Sequence, residues 1–497
     1  MHLFAGALQQ QVPRLDRVSS MNALGKEMKK VSLQVYNTLS RKKEDFKTVE
    51  PGEVRMYVCG PNLYGPAHVG HAMSYIVFDV IRRYLKYAGY RVRHVQNFTD
   101  IEDRIMETAK AQGTTIRDLA DKYIARFHAE MDALNVERAD RHPRATEVIP
   151  EIVQMVQGLI DKGFAYEVEG DVYFRVSRFP NYGQLSRRSL DQMEAGARVE
   201  VDPRKEHPMD FALWKAAKEG ESVWDSPWGL GRPGWHIECS AMSMTFLGEQ
   251  LDIHGGGHDV IFPHHENEIA QSEAYTGKSP FVRYWMHNAL LRLGEDEEKM
   301  TRHLGNFVSV QEALQKYSSD AIRLFILSSH YRSPLTWKEE NVLAAERGAE
   351  RLRVALRDYA TAPAESPGDA LSRAADEARR EFIAAMNDDF NTPQALAQVF
   401  DLARMINQAR DAGDSGAALS YAQGVLKELT DVLGLTMKGL AGPSDAEPFI
   451  SLLVDTRSEL RRAKQWALAD VIRDRLAELG VVLEDGPAGT SWRFTAT

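Results

Sequence analysis

The chain has 497 residues, more than one hydrophobic core usually serves, so we expect two to four domains. Hydrophobic residues make up 43% and charged residues 27% of the sequence, and no apolar stretch is long enough to span a membrane. We therefore expect a soluble globular protein without a membrane partner. The net charge of -10 provides no globally basic surface, so any nucleic-acid contact depends on a local patch of Lys and Arg.

Two cysteines, Cys59 and Cys239, are too few for a disulfide framework and favour a reducing compartment, so we expect a cytoplasmic location. Residues 1–30 contain five Lys or Arg and two acidic residues but lack the apolar core of a secretory signal. We predict that this extension is disordered or not translated, with Met21 or Met28 as the alternative first residue.

Strands and helices alternate after the extension. Residues 54–59 (VRMYVC) and 90–98 have the pattern of buried strands, and residues 69–88 between them that of a helix with one apolar face. This βαβ order predicts a parallel sheet whose carboxyl edge carries the ligand sites.

The α/β pattern is interrupted and then returns. Residues 150–230 include a stretch rich in Pro, Trp and Gly, which indicates an insertion. A strand over residues 251–254 then leads through three glycines to a helix that begins at Pro263 and ends at Gly277.

The chain past residue 340 is predicted to be helical. It is rich in Ala, Leu, Arg and Glu, and Asn391 before Thr-Pro has the pattern of a helix cap. Residues 361–369 read as a connection between helices, and residues 438–448 as a soft boundary before a compact tail.

Cys59, Cys239, His264 and Glu268 form a candidate zinc set. His264 and Glu268 are four residues apart, so they project from one face of a helix. Thiolates select zinc over magnesium, and imidazole and carboxylate complete the ligand shell. The alternative is that Cys59 and Cys239 are small buried side chains and that His264 and Glu268 form an ordinary surface pair, and the spacing by itself favours this alternative.

Residues 68–71 (HVGH) have the pattern of a phosphate site. A helix that starts here points its free N–H groups at an anion, His68 and His71 can donate to phosphate oxygens, and Gly70 lets a flat base approach the backbone. Two partly exposed histidines on an ordinary helix are an equally good explanation of these four residues.

A third candidate segment is GEDEEKMTRHLGNF, residues 294–307. Lys299 and Arg302 are two cations three residues apart, which can neutralise the charge that builds on a leaving pyrophosphate. Taken by itself, the segment is better explained as a solvated run of charges.

Together the segments CGPNLYGPAHVGH, NFTDIED, GRPGWHIECSAMS, HGGGHD with FPHHENE, and KMTRHLGN resemble the cysteinyl-tRNA synthetases, which are class I aminoacyl-tRNA synthetases. The resemblance runs from about residue 31 to the end of the chain. It implies that ATP, with Mg2+, and L-cysteine form cysteinyl adenylate, and that the cysteinyl group then passes to tRNA(Cys).

The resemblance also implies roles for individual residues. Cys59, Cys239, His264 and Glu268 would hold one Zn2+ per chain that binds the substrate thiolate. An ordinary pocket rejects a near-isostere such as serine by only about 100-fold, so metal coordination would supply the missing discrimination. The remaining roles fall into two groups by ligand: Gly60, Thr99 and Trp235 for cysteine, and His68, Gly70, His71, Asp259, Lys299 and Arg302 for ATP, with His68, His71, Lys299 and Arg302 catalytic.

The tail resembles the anticodon-binding end of the family. The resemblance assigns Arg461, Trp466, Asp470 and Asp485 to the anticodon bases, and unpaired loop bases are indeed read by stacking and by hydrogen bonds to their edges. The alternative for Trp466 is a core residue of the tail.

The resemblance fits an α/β Rossmann-like parallel-sheet catalytic domain with an inserted connective domain, followed by a helical bundle and a small anticodon-binding domain. We expect a monomer. The predicted boundaries, in chain order, are 1–30 for the extension, 31–147 and 231–285 for the two catalytic halves, 148–230 for the insertion, 286–342 for the loop and stem-contact region, 343–438 for the bundle and 439–497 for the last domain.

The sequence departs from the family pattern at three points. The usual KMSKS reads KMTRH, so Arg302 replaces a lysine and keeps the charge in a planar fork. The acidic stretch EDEE lengthens this loop, and Asn62 stands where the family commonly has threonine. These departures bear on catalytic efficiency.

Two other functions remain as alternatives. A mycothiol-type ligase joins cysteine to an amino sugar, but such enzymes generally lack the tail and the full HHENE run that this chain has. A catalytically weakened, tRNA-binding synthetase-like protein is suggested by KMTRH, although both histidines and all four proposed zinc ligands are present.

Overall fold

A computed structural model describes residues 32–190, 202–218, 221–293, 298–299, 307–359, 363, 366–414, 416–439, 447–486 and 489–494, with residues 298–299 and 447–448 described by their backbone. The predicted extension over residues 1–30 lies outside this part of the chain.

The strands are numbered in chain order as β1 Gln34–Asn37, β2 Lys42–Asp45, β3 Glu53–Val58, β4 Arg91–Gln96, β5 Ala165–Val168, β6 Asp171–Phe174, β7 Phe211–Ala216, β8 Gly231–Pro233, β9 Leu251–Gly257, β10 Val282–Asn288, β11 Leu291–Leu293, β12 Glu298–Lys299, β13 Leu335–Trp337, β14 Val481–Gly486 and β15 Gly489–Phe494. The α-helices are α1 Val69–Tyr87, α2 Asp103–Gln112, α3 Ile116–Ala133, α4 Ile149–Asp161, α5 Trp235–Leu247, α6 Glu266–Thr276, α7 Val310–Lys316, α8 Ser319–Leu327, α9 Glu339–Ala355, α10 Ala370–Asn387, α11 Thr392–Asp411, α12 Ala417–Val432, α13 Glu447–Arg462 and α14 Trp466–Glu478.

The central sheet is parallel and has the strand order β10-β9-β3-β4. Strands β3 and β4 are joined through α1, as the βαβ pattern of the sequence predicts. Strand β9, which follows the insertion, pairs directly with β3, so both predicted parts of the α/β domain contribute to one sheet. Because parallel strands end at the same edge, the loops after β3, β4 and β9 meet there.

A separate antiparallel sheet with the order β5-β6-β7-β8 forms in the region predicted as an insertion. Its strands β5 to β7 lie within the predicted range, whereas β8 lies just past residue 230. Strand β8 leads directly into α5, so the insertion sheet and the second half of the catalytic domain share a short connection.

Helices α10, α11 and α12 pack against one another as a bundle, and α12 contacts α1 of the catalytic domain. The side chain of Asn391 accepts a hydrogen bond from the backbone N–H of Gln394, which confirms the predicted cap of α11. Helices α13 and α14 and the β14–β15 hairpin follow, with a small core of their own. None of the described helices combines the length and apolarity needed to cross a bilayer.

A buried arginine joins the catalytic domain to the bundle. The guanidinium of Arg323 in α8 donates to the carboxylate of Asp79 in α1 at 2.6 Å, to the carbonyl of Leu134 at 3.0 Å and to the carbonyl of Leu433 at 3.1 Å. Both charged side chains are fully buried. Their desolvation is offset because the guanidinium has protein acceptors on several sides.

We predict that Arg323→Ala destabilises the protein by about 2 kcal/mol or more, since it removes one of the two arginines that pair with the buried Asp79 carboxylate and leaves two buried carbonyls without this donor. The matched control is Arg404→Ala, which removes an arginine from the exposed Arg404–Asp401 pair and should cost less than about 0.5 kcal/mol. The free energy of unfolding is measured by urea denaturation. Equal losses in the two variants would contradict the role of Arg323.

Candidate functional site

The site forms at the carboxyl edge of the central sheet. Cys59 follows β3 directly, and its backbone N–H donates to the carbonyl of Gly255 in β9 at 3.1 Å. The glycines of β9 leave no room for side chains, because a Cβ on Gly255 would lie 2.3 Å from the Phe78 ring and one on Gly256 would lie 2.9 Å from the His265 ring. The glycine run therefore allows α1 and the turn before α6 to pack closely against the sheet.

Cys59, Cys239, His264 and Glu268 come together at this edge. Each offers one ligand atom, and these four atoms all lie within 4.8 Å of one another. The two Sγ atoms are 4.0 Å apart, and Nε2 of His264 lies 3.1 Å from Oε1 of Glu268. Cys239, His264 and Glu268 are buried, and Cys59 is half-buried.

The start of α6 differs from its prediction. The regular helix begins at Glu266 and not at Pro263, because residues Ile261–His265 form a wider turn in which Phe262 has an extended conformation. His264 therefore lies in the turn before the helix. It still reaches Glu268, so the contact predicted from the four-residue spacing exists although the intervening backbone is not a continuous α-helix. The predicted end at Gly277 is correct, since Gly277 caps α6 with a φ of 71°.

A second group of metal-ligand type shares two members with the first. It consists of Cys59, His254, His265 and Glu268. Nε2 of His265 lies 3.2 Å from Sγ of Cys59, and Nε2 of His254 lies 2.9 Å from Oε2 of Glu268. Nδ1 of His265 lies 2.8 Å from Nε2 of His287, so a chain of imidazoles backs the cysteines.

The four predicted ligands interact strongly with one another. The pKa of Cys239 falls to about 6, first because Cys59 hydrogen-bonds to it and also because His264 is close. Burial and the neighbouring Cys239 raise the pKa of Cys59. Burial opposes protonation of His264, but the negative charges of Cys239 and Glu268 outweigh it and raise the pKa of His264 to about 10. The cluster thus favours one thiolate and one carboxylate around a cationic centre.

The donor set fits a zinc ion. Two thiolates about 2.3 Å from a tetrahedral zinc lie about 3.8 Å apart, close to the 4.0 Å between the two Sγ atoms here. Two sulfur ligands favour zinc over hard cations such as magnesium. His254 occupies the second oxygen of Glu268, which is the kind of support that orients a metal ligand.

Gly60, Thr99 and Trp235, predicted to bind cysteine, border this cluster. The Trp235 ring, at the first residue of α5, stacks on the His264 ring with centroids 4.5 Å apart and is 37% exposed. Asn97 connects the other two, because its Oδ1 accepts from the Gly60 N–H at 2.8 Å and its Nδ2 donates to the Thr99 hydroxyl at 3.3 Å.

His68 and His71 form the start of α1. His68 caps the helix, and each Nδ1 atom accepts the backbone N–H of the other histidine at 3.3 Å, while the rings stack at 3.7 Å. A neutral ring that accepts at Nδ1 carries its proton on Nε2, so both rings are donors on the side away from the backbone. A Cβ on Gly70 would lie 2.9 Å from Nδ1 of His68, so glycine makes room for this ring arrangement.

The structure describes only some of the other residues that are predicted to bind ATP. Asp259 is exposed in the short turn after β9, at the same edge of the sheet. The backbone of Lys299 pairs with that of Arg292 in β12 and β11. The side chain of Lys299 and the whole of Arg302 lie outside the described residues.

The segment after the KMTRH loop is tied to the HVGH segment by its backbone. Val69 N–H donates to the Val308 carbonyl at 3.0 Å, and Val310 N–H donates to the Ala67 carbonyl at 3.1 Å. The chain that carries Lys299 and Arg302 therefore returns directly beside His68 and His71.

Three of the residues predicted to read the anticodon gather in the last domain. Asp485 accepts both terminal nitrogens of the buried Arg457 at 2.8 and 2.9 Å and also pairs with Arg461. The Arg461 guanidinium lies 5.9 Å from the centroid of the Trp466 ring. Trp466 is 55% exposed, so it is not a core residue.

Asp470 lies one turn after Trp466 on α14, 3.8 Å from Arg473. Hydrogen bonds from Arg457 and other neighbours hold the pKa of Asp485 well below its usual value. The carboxylate of Asp485 is therefore anionic and orients two arginines at this surface.

Four residues of the site escape the sequence patterns: Asn97, Glu238, His254 and His265. Asn97 directly follows β4, His254 lies in the middle of the buried strand β9, and His265 is adjacent to the predicted ligand His264. Glu238 stands out as a carboxylate in the mostly apolar run of α5, and that contrast is the signal by which it was detectable.

Known families match most of the chain. Residues 45–347 match the family described as tRNA synthetases class I (C) catalytic domain, residues 381–438 match the DALR domain, and residues 450–493 match the cysteinyl-tRNA ligase anticodon binding domain. These matches cover the central sheet with its insertion, the end of the bundle and the C-terminal domain.

Solved structures with low identity share the fold. Methionyl-tRNA synthetase of Mycobacterium tuberculosis has a TM-score of 0.56 and 16% identity, with 81% of this chain and 94% of that chain covered. Leucyl-tRNA synthetase of Agrobacterium radiobacter has a TM-score of 0.58 and 11% identity, with 85% and 88% covered. Both likenesses support the predicted class I architecture.

Similar curated proteins carry one name. Cysteine–tRNA ligase of Dehalococcoides mccartyi is 55% identical over 465 residues, which cover 93% of this chain and 99% of the relative. The ligases of Pelotomaculum thermopropionicum and Brevibacillus brevis are 50% and 49% identical over 93% of this chain and 99% and 100% of their own lengths. With a catalytic family match over more than half of its length and such relatives, the chain belongs to the cysteine–tRNA ligase family of class I aminoacyl-tRNA synthetases.

Proposed function

We propose that the protein ligates L-cysteine to tRNA(Cys) through a cysteinyl-adenylate intermediate, with ATP and Mg2+ for activation and a zinc site that selects the substrate thiol. The observation that carries this proposal is the convergence of Cys59, Cys239, His264 and Glu268 beside Trp235. The buried cluster offers two thiols, which fits a substrate that has a thiol. The N-terminus of α1 with its two histidines lies near the same edge of the sheet, which fits the ATP that this substrate must meet.

Cys59, Cys239, His264 and Glu268 would hold the zinc, in preference to the set with His254 and His265. This choice rests on the second thiol, which a zinc site favours. Nε2 of His254 already supports Glu268, whereas His265 contacts Cys59 through Nε2 and His287 through Nδ1, so the second thiol decides between the two sets. A bound zinc supplies a strong preference for sulfur over oxygen and stabilises the thiolate form of the substrate.

The protein's own groups serve the activation step by orientation and charge. The cysteine carboxylate oxygen forms a bond to the α-phosphorus of ATP, the bridging bond to the β-phosphate breaks, and pyrophosphate leaves. His68 and His71 donate from Nε2, and the N-terminus of α1 adds its positive end, which stabilises phosphate charge. Lys299 and Arg302 remain predicted partners of the leaving pyrophosphate.

The transfer step needs tRNA, and the C-terminal domain supports this partner. A hydroxyl of the 3'-terminal adenosine attacks the carbonyl carbon of the adenylate, and AMP leaves. Trp466 and Arg461 offer an exposed indole and a guanidinium, which suit stacking with unpaired bases. This domain favours tRNA over the amino sugar of a mycothiol-type ligase.

We expect the purified protein to charge tRNA(Cys) with cysteine and to reject serine by more than the roughly 100-fold that an ordinary pocket reaches. Aminoacylation with labelled cysteine and labelled serine measures both. No charging with cysteine would refute the proposed function. If the protein charges tRNA(Cys) with cysteine but prefers cysteine over serine by about 100-fold or less, the role of a metal in selecting the substrate would be refuted.

We predict about one zinc per chain and a loss of most of it in Cys239→Ser, because a hydroxyl is a far poorer zinc ligand than a thiolate. Cysteine-dependent pyrophosphate exchange should fall together with the zinc content, which is measured by atomic absorption. Met242→Leu is the matched control, since Met242 is fully buried on the same helix and this exchange preserves volume. Full zinc content and normal exchange in Cys239→Ser would disprove the assignment.

We predict that Trp466→Ala raises the KM for tRNA(Cys) by about 5- to 150-fold, the loss expected for one base–aromatic stack. Pyrophosphate exchange without tRNA should not change, since the residue lies in the last domain. Leu479→Ala removes a more exposed apolar side chain of the same domain and serves as the control. An unchanged KM for tRNA(Cys) in Trp466→Ala would argue against anticodon contact by this residue.

A further inference from the structure

Glu238 is a buried carboxylate that has no role in the proposed zinc site or in the proposed binding of ATP. It lies on α5 between Trp235 and Cys239 in the chain and is 1% exposed. Within the described part of the chain, neither of its carboxylate oxygens has a hydrogen-bond partner of regular geometry. A buried carboxylate in this condition is expensive, and its persistence calls for a partner that the protein itself does not supply.

The surroundings of Glu238 lack a compensating cation. The charges that act on it most strongly among the described residues are those of Cys239, Asp100 and Glu102, which are all of negative sign. Asp100 differs from Glu238, because it accepts hydrogen bonds from the backbone N–H of Thr146 at 3.1 Å and from its hydroxyl at 2.6 Å. Burial and these charges raise the pKa of Glu238, so its carboxylate form has no compensating cation among the described residues and is the form that a cationic ligand would stabilise.

The Thr99 hydroxyl acts on Glu238 in the opposite sense. A hydrogen bond from it lowers the pKa of the Glu238 carboxyl, although by less than burial raises it. The Thr99 hydroxyl accepts from Asn97 Nδ2 at 3.3 Å, so its own proton points away from Asn97. Asn97 is in turn fixed by the Gly60 N–H at 2.8 Å. The hydrogen bonds from Gly60 to Asn97 and from Asn97 to Thr99 thus fix the position of the Thr99 hydroxyl that acts on Glu238.

We propose that Glu238, together with the Thr99 hydroxyl, binds the α-ammonium group of the cysteine substrate. This proposal rests on the proposed function, which assigns the substrate thiol to the cluster that includes Cys239. In cysteine the sulfur and the amino nitrogen are three bonds apart. Cys239 is the charge that acts most strongly on Glu238, so a substrate held by its sulfur at the cluster has its ammonium within reach of the Glu238 carboxylate.

The same carboxylate sets the direction of the substrate. The negative charges of Glu238, Asp100 and Glu102 attract the ammonium and repel the substrate carboxylate. The carboxylate is thereby directed toward the N-terminus of α1, where His68 and His71 supply donors. Specificity at this site includes the rejection of thiols that carry a carboxylate without an ammonium.

The test compares three thiols in the wild type and in Glu238→Gln. Cysteine carries ammonium and carboxylate, cysteamine carries only the ammonium, and 3-mercaptopropionate carries only the carboxylate. Dissociation constants come from titration calorimetry for cysteine and from inhibition of pyrophosphate exchange for the other two. In Glu238→Gln we expect cysteine and cysteamine to bind about 30-fold more weakly or worse, and 3-mercaptopropionate to bind as before or more tightly.

Two controls separate binding from structural support. Glu107→Gln removes an exposed carboxylate of α2 that has no part in the proposed site, and it should leave the binding of all three thiols unchanged within about threefold. The zinc content of Glu238→Gln should equal that of the wild type. Weakening of all three thiols to the same degree, or loss of zinc in Glu238→Gln, would make Glu238 a structural residue and overturn the proposal.

The wild type provides a test that needs no substitution. Cysteamine should inhibit at a concentration at least about 30-fold lower than 3-mercaptopropionate, and equal inhibition would overturn the ammonium site. Failure of the proposed function has a different signature, because a wild type that holds no zinc and activates no cysteine fails before any variant is compared.

Discussion

The backbone hydrogen bond from Cys59 to Gly255 is the constraint on which the site depends. It continues the pairing of β3 with β9, two strands that are separated in the chain by the whole insertion. Because both strands end at the same edge, Cys59 meets the turn that carries His264 and precedes Glu268. A slip of one residue in this pairing would turn Cys59 to the opposite face of the sheet and leave the other three ligands without it.

Periodicity in the sequence predicts much of this fold, because each strand and helix has its own pattern of buried residues. The parallel sheet, the helix from about residue 69 and the cap at Asn391 are confirmed on that basis. The predicted start of α6 at Pro263 is wrong because Phe262 interrupts the helical backbone, and no residue pattern specifies that turn. The role of Asn97 depends on Gly60 and that of Glu238 on Thr99, contacts between separate segments that a single sequence does not reveal. The grouping of the four proposed metal ligands came from the family motifs, since their spacing by itself favoured an ordinary explanation.

Two buried charges in this protein show how a structural group differs from a ligand group. Arg323 is fully buried, yet Asp79 and backbone carbonyls satisfy its guanidinium, so it holds two parts of the molecule together. Glu238 is equally buried but is surrounded by negative groups and lacks a hydrogen bond of regular geometry among the described residues. Folding stability explains the first arrangement. The burial of Glu238 lowers the stability of the protein, and a bound cationic substrate would offset that loss.

Under the proposed function, the two ends of the cysteine site differ in electrostatic character, and this difference would set how cysteine meets ATP. Glu238 and Asp100 place carboxyl groups at one end, and the N-terminus of α1 with the donors of His68 and His71 lies at the other. Backbone hydrogen bonds of Ala67 and Val69 hold the segment 308–310, which follows the KMTRH loop in the chain, beside this end. If the proposed function holds, a cysteine whose sulfur is held at the cluster would turn its carboxylate toward the phosphates, which is the orientation that adenylate formation requires.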